Sequence, residues 1–338
     1  MYRNFFELRD TPFTVSPDPR YLYRTKAIQE ALAGLTYGIQ TRKGFLLLTG
    51  EVGTGKTTLL NRLLDWLREQ DVATAYVFNS QFLSVRQLFD FILADFGIAC
   101  DSRIKSQMLM KLNQWLLDRY RKGKTTVLII DEAQNLSEAL LEEVRLLTNL
   151  ETPNGKLLQI VLSGQPELEE IVSRPQLRQL RQRIMLRCKT LPLTREETHA
   201  YVAERLRVAG SKGGPVFSSE AIEAIFNYAH GIPRVVNLLC EHSLINAFAD
   251  ELKPIPPSVV DEVAREFQLD TISPVARVAP VTTAAPVASL APPALDPTAD
   301  TVRSSIVQVE TLLQNLRSFL YGAESARSGA AAGSERKP

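Results

Sequence analysis

The chain has 338 residues with 39 Lys plus Arg against 38 Asp plus Glu, a net charge of +1. It is long enough for two compact domains and carries no global nucleic-acid signature. Three scattered cysteines, Cys100, Cys188 and Cys240, have neither disulfide-framework nor metal-ligand spacing and read as reduced thiols of a cytosolic protein. No stretch approaches the length of apolar run that spans a bilayer, and charges interrupt the first ten residues, so neither a spanning helix nor a signal peptide is expected.

Residues 1–25 form an arm rich in aromatics and prolines, with Phe5, Phe6, Leu8, Phe13, Tyr21 and Tyr23. An extended, non-helical segment is predicted, packed by its rings as a hydrophobic strap or serving as an apolar wall for a nucleobase. A helix is predicted over 26–40, with Ile28, Ala31, Leu32, Leu35 and Ile39 on one face. The apolar run Phe45 to Leu48 reads as a buried strand leading into Gly50-Glu51-Val52-Gly53-Thr54-Gly55-Lys56-Thr57-Thr58. That stretch meets the pattern G-x-x-x-x-G-K-[ST] of a phosphate-binding loop.

Each residue type has a task there. Glycines let the backbone turn its amides inward on phosphate oxygens, and the helix start adds unpaired N–H groups and the positive end of its dipole. Lys56 would carry its charge to the β and γ phosphates of ATP, and the Thr57 hydroxyl would complete the shell of a Mg²⁺ ion.

A second strand is expected over 72–78 and amphipathic helices over 84–96 and 105–121. The run Thr125 to Ile130 then reads as a strand buried on both faces, ending in Asp131-Glu132. Ligands bind beyond the carboxyl ends of such strands, so both acids fall where phosphates would lie. Asp131 would hold Mg²⁺, and Glu132 would orient and polarise the attacking water. After a helix over 137–149 and a turn at Pro153-Asn154-Gly155, the strand Leu157 to Leu162 ends at Ser163, Gly164 and Gln165. Ser163 and Gln165 are both candidates to touch the γ-phosphate or the water.

The stretch Arg174 to Arg187 reads as a helix feeding a last strand, with Arg174, Arg178 and Arg181 on one helical face. That face is either plain solvated surface, a contact for an anionic polymer, or a source of arginines for a neighbouring subunit's nucleotide. From Leu191 the pattern turns all-helical. Thr194-Arg195-Glu196-Glu197 is a capping-box start, and further helices are predicted from Ser219, over 232–248 and over 257–267. Residues 271–301 are a Pro/Ala-rich linker. Over 302–322 Val302, Ile306, Val309, Leu313, Leu316 and Leu320 make a heptad seam suited to a partner or a second copy, and 323–338 read as a disordered tail.

The order of phosphate loop, Asp-Glu strand, polar strand end, arginine segment and small helical bundle resembles the AAA+ ATPases. Pro17-Asp18-Pro19-Arg20, Asp131-Glu132-Ala133-Gln134-Asn135-Leu136, Leu146-Leu147-Thr148-Asn149-Leu150-Glu151-Thr152, Gly164-Gln165-Pro166-Glu167-Leu168, Leu180-Arg181-Gln182-Arg183-Ile184 and Gly231-Ile232-Pro233-Arg234 resemble the ExeA type in particular, over about 1–270. The resemblance implies an α/β P-loop fold: a three-layer core over 26–190 on a parallel sheet of order 5-1-4-3-2, then a small all-α lid over 191–270. It also implies that Ser163 or Gln165 is sensor 1, that Arg234 is sensor 2 reaching from the lid, and that Arg183, before Arg181, is the finger acting in trans. A trans finger requires a homo-oligomer, a ring or a filament.

The activity implied is Mg²⁺-dependent ATP hydrolysis serving an envelope secretion, pilus or exopolysaccharide assembly system. The protein would be cytoplasmic or held at the inner membrane by a partner, with 302–322 as the contact. The linker and heptad helix stand where longer ExeA-type proteins continue into a transmembrane segment. The alternative is a DNA-dependent ATPase like the transposition regulators that share this core.

Overall fold

In the computed structural model, residues 2–14, 19–21, 23–78, 84–153, 155–212 and 214–269 are described. The linker, the 302–322 heptad helix and the tail lie outside them. In chain order the elements are α1 (Tyr2–Phe5), α2 (Lys26–Gln40), β1 (Phe45–Thr49), α3 (Lys56–Glu69), β2 (Ala73–Val77), α4 (Val85–Asp95), α5 (Lys105–Arg121), β3 (Thr126–Ile130) and α6 (Glu138–Leu147). There follow the two-residue strands β4 (Glu151–Thr152) and β5 (Gly155–Lys156), then β6 (Gln159–Gly164), α7 (Pro166–Ser173), α8 (Arg178–Arg183) and β7 (Ile184–Lys189). The last elements among the described residues are α9 (Arg195–Val208), α10 (Ser219–Ala229), α11 (Pro233–Ala249) and α12 (Pro257–Glu266).

Five strands form one sheet in the order β2-β3-β6-β1-β7, every neighbour parallel. This is the order expected from the family resemblance. Strands β1, β3 and β6 are buried along their whole length, as strands covered on both faces must be. Alternation sends Leu47, Leu128, Ile130, Ile160 and Leu162 toward α4 to α8. The intervening Leu46, Leu48, Val127, Ile129 and Val161 pack against α2 and α3. Two helical layers therefore sandwich the sheet.

The α2 helix starts at Thr25, whose hydroxyl accepts from the Ile28 N–H at 3.2 Å, and buries Ile28, Ala31, Leu35 and Ile39. The capping box at Thr194 is present: its hydroxyl accepts from the Glu197 N–H and the Glu197 carboxylate from the Thr194 N–H. Helices α9 to α12 enclose a separate apolar cluster centred on Val202, Ile225, Leu239 and Val260.

Two expectations are corrected. The arm is not wholly extended: Tyr2–Phe5 makes a helical turn and Pro19–Tyr21 a 3-10 turn. Tertiary contacts hold the first of these. The Tyr2 hydroxyl donates to Glu241 of α11 at 2.7 Å, and the Phe5 ring stands edge-on to Phe248 at 5.7 Å. The arm buries Phe6, Leu8 and Phe13 in the lid cluster.

The second correction concerns the arginine segment, which is not one helix. Arg174 is extended (φ −60, ψ 146) and is followed by a 3-10 turn, Pro175–Leu177, before α8 begins. A residue ahead of proline is steered away from helical dihedrals. Arg174 pairs instead with Glu138 at 2.8 Å, which leaves Arg178 and Arg181 as the exposed pair on α8.

Candidate functional site

The segments beyond the carboxyl ends of β1, β3 and β7 and the start of α11 meet at a cavity of about 350 Å³, within the usual range for small-molecule sites. Its wall includes Gly53, Gly55, Lys56, Thr57 and Thr58 from the loop, Glu132 from the tip of β3, and Arg234 from the lid. The apolar part of the lining comes from Ile28, Val52, Leu191, Leu193 and Pro233, with Tyr21 and Tyr23 of the arm. The arm thus packs into the lid through Phe6, Leu8 and Phe13 and lines the cavity through Tyr21 and Tyr23.

Lys56 is buried, and its ammonium donates to the Gly50 and Glu51 carbonyls at 2.6 and 3.0 Å. Burial pulls its pKa down, while Glu132, Asp131, Glu51 and Glu167 pull the other way; the net result lies below the ordinary lysine value. Burial disfavours the charged form of this ammonium, and an anionic ligand beside it would favour that form again. Thr57 is exposed at the cavity wall. Gly50 donates its N–H to the Gly164 carbonyl at 3.3 Å, and the Thr54 and Thr190 hydroxyls meet at 2.7 Å, tying the loop to β6 and to the chain beyond β7. Gly53 has φ 83, and its carbonyl accepts from the Arg234 N–H at 3.2 Å, so loop and lid touch backbone to backbone.

Within the lid, a close contact joins its first residues to the turn that precedes α11. The Leu193 N–H donates to the Gly231 carbonyl at 2.8 Å, and a Cβ at Gly231, where φ is 74, would lie 2.0 Å from the Leu193 oxygen. Only glycine fits there.

Asp131 extends β3 by one residue, its N–H donating to the Val77 carbonyl at 2.9 Å. Its Oδ1 accepts from Ser163 Oγ at 2.7 Å and from the Glu132 N–H at 3.0 Å, and its Oδ2 from the Tyr76 hydroxyl at 3.0 Å. Glu132 sits in the left-handed region at φ 50, a strained backbone position of the kind that clusters at functional sites. Its Oε2 accepts from Gln165 Nε2 at 3.2 Å and from Gln134 Nε2 at 2.5 Å. Ser163 and Gln165, left as alternatives on sequence grounds, thus hold different acids.

Neither Arg181 nor Arg183 lines the cavity. Arg181 is exposed, and Arg183 donates to Thr148 Oγ1 at the end of α6 at 2.9 Å. Sequence reasoning missed Tyr76, Gln134 and the Tyr201, Arg205 and Asn237 group. Arg205 is buried, donating to the Pro12 carbonyl at 2.6 Å and to the Tyr201 hydroxyl at 2.5 Å, with its guanidinium 4.7 Å from the Tyr21 ring. The Tyr201 hydroxyl donates in turn to Asn237 at 2.8 Å. For Tyr76 a signal was available, since alternation along β2 puts it on the face that carries Asp131. For Arg205 there was none, because its partner Pro12 is distant in sequence.

The residues suit a magnesium nucleotide. Among the described residues no group of three or more His, Cys, Asp or Glu side chains forms a self-sufficient metal cage. Mg²⁺ does not require one, because it is commonly held by one or two protein oxygens, waters and substrate phosphates. Thr57 and Asp131 would be those protein groups.

A phosphate loop after β1, an acid pair at the tip of β3, two places away in the sheet, whose Glu132 reaches the cavity, and a lid arginine in the same cavity, all on a 5-1-4-3-2 parallel sheet, define a P-loop protein of the AAA+ class. Residues 39–172 match the AAA domain family. The chain is 46% identical over 250 residues to General secretion pathway protein A of Aeromonas hydrophila, an alignment covering 74% of this chain and 45% of the relative. The chain belongs to the AAA+ ATPases of the ExeA type, and it spans about half the length of the curated relative it matches.

Solved structures support the fold alone. Drosophila ORC bound to DNA aligns with TM-score 0.59 at 22% identity over 79% of this chain and 66% of that one. Cdc6p from Pyrobaculum aerophilum aligns with 0.58 at 18% identity over 78% and 70%. Among the described residues no helix is long and apolar enough to cross a membrane.

Proposed function

We propose that the chain is a Mg²⁺-dependent ATPase that assembles into homo-oligomers on binding ATP. Its hydrolysis would drive or regulate an envelope secretion, pilus or exopolysaccharide assembly system from the cytoplasmic side of the inner membrane. The observation that carries the reading is the meeting of Lys56, Thr57, Glu132 and Arg234 around one cavity. The name of the Aeromonas relative supports the secretion role.

In this reading the loop amides and Lys56 bind the phosphates, while the apolar wall takes the base. Mg²⁺, held by Thr57 and Asp131, would neutralise charge on the phosphate oxygens. Glu132, fixed by Gln165 and Gln134, accepts the proton of the attacking water. Arg234 enters from the lid, so lid position and phosphate occupancy are linked through the Gly53 contact. A second copy would supply Arg183 or Arg181, whose guanidinium stabilises charge that develops only in the transition state.

Titration with a fluorescent ATP analogue and a phosphate-release assay test the reading together. Lys56→Ala abolishes binding, whereas Glu132→Gln keeps binding and lowers turnover by at least ~10²-fold. Full turnover in Glu132→Gln, or no nucleotide binding by the folded wild type, overturns it.

A further inference from the structure

Strand register places three polar side chains in one row. Tyr76 on β2 is paired with Ile129 on β3, and Ile129 with Val161 on β6. Ile129 and Val161 both point to the α2/α3 face of the sheet. Two residues on, Asp131 and Ser163 must therefore share that face and lie beside each other, with Tyr76 diagonal to Asp131, within reach of a long side chain. The side chains follow: Ser163 donates to one Asp131 oxygen at 2.7 Å and the Tyr76 hydroxyl to the other at 3.0 Å.

Tyr76 is itself held from several sides. Its backbone N–H, on the open edge of β2, donates to Asp95 at the end of α4 at 2.6 Å. Its ring stacks under Phe78 at 6.4 Å and 28°, and Phe91 stands edge-on to Phe78 at 5.9 Å. The donor is thus aimed before any ligand arrives.

We propose that Tyr76 is a positioning residue that orients the Asp131 carboxylate for the magnesium ion of a bound nucleotide. The inference rests on the Mg²⁺-ATP reading above. A carboxylate held on one oxygen by Ser163 and the Glu132 N–H and on the other by Tyr76 cannot rotate about its Cβ–Cγ bond, so both oxygens keep one fixed orientation. Groups that brace a ligating carboxylate in this way typically contribute 10–100-fold to metal affinity or activity when tested by mutation.

The test is titration of a fluorescent ATP analogue, first in EDTA and then with rising MgCl₂, on wild type and Tyr76→Phe. The expected result is equal affinity in EDTA and a Mg²⁺ midpoint raised about 10-fold in the variant. Replacing Tyr76 by 4-aminophenylalanine, which restores a donor on the same ring, moves the midpoint back toward wild type. An unchanged midpoint overturns the proposal. So does an equal loss of affinity with and without Mg²⁺, which would mark Tyr76 as a packing residue only. Absence of analogue binding by folded wild type is a separate result that refutes the nucleotide site itself, and the proposal with it.

Discussion

Gly53→Ala tests whether the phosphate loop and the lid act as one body. Gly53 occupies a variable position of the loop pattern, so the motif alone sets no requirement there. In the structure its φ is 83, and a Cβ would lie 2.8 Å from Arg234 Cβ and 3.0 Å from Ile232 Cγ2. Arg234 Cβ is bonded directly to the α11 backbone and cannot swing aside, while Ile232 Cγ2 lies one bond further out, on the residue before the helix.

Two costs follow, and they separate experimentally. Holding alanine in the left-handed region costs roughly 1–2 kcal/mol wherever the lid sits. It should appear as a melting temperature lowered by about 2–8 °C for a chain of this size. Overpacking against α11 costs about 1–3 kcal/mol and is relieved if the lid moves off the loop. That term opposes only the arrangement in which Arg234 reaches the cavity, so ATP affinity falls by about 5- to 150-fold. Thermal denaturation and ATP-analogue titration read the two independently. Wild-type affinity in Gly53→Ala would refute the claim that nucleotide binding uses the loop–lid contact.

Arg183→Ala should bind ATP normally and hydrolyse it about 10³-fold more slowly, the low end for a lost arginine finger. Mixing it with Lys56→Ala should recover part of the turnover, measured as phosphate release. No recovery from co-assembled variants, with Arg181→Ala behaving as Arg183 was expected to, would move the finger to Arg181. At acid pH, Glu169 provides a further check. Burial raises its carboxyl, but hydrogen bonds from Thr49 and Lys189 and the charges of Lys189 and Arg187 outweigh it, leaving the pKa below the ordinary 4.5. The folded value lies below the unfolded one, so this stabilisation is complete above pH 4.5 and is lost as pH falls through the folded value. Glu169→Gln should accordingly show a smaller drop in melting temperature between pH 7 and pH 3 than wild type, and an equal drop would exclude this role.

Local pattern settled much of this molecule in advance. The runs 45–48 and 125–130 are apolar without interruption, which only strands buried on both faces need to be, and the helix 26–40 has its cap and its apolar stripe within one short window. The loop from Gly50 to Thr57 and the Asp131-Glu132 pair were legible for the same reason: their chemistry depends on residues adjacent in the chain. The helical turn at Tyr2–Phe5 was not, because it depends on Glu241 and Phe248, more than two hundred positions away. At Arg174 two local signals conflict, the helical spacing of the arginines and the bias that Pro175 imposes on the residue before it, and the second prevails.

What remained undecided until the strands were registered and the lid was seated is the assignment of partners. Sequence alone offered Ser163 and Gln165 as equivalents, whereas side-chain alternation directs Ser163 to Asp131 and the following turn directs Gln165 to Glu132. Tyr76 acquires a role only because a parallel neighbour brings it diagonally onto Asp131, and Gly53 only because α11 descends on the loop. Periodicity and motif report what a residue does for its own segment. Hydrogen bonds between strand tips, and the space left for a Cβ between loop and lid, are properties of surfaces that exist only after the segments have packed.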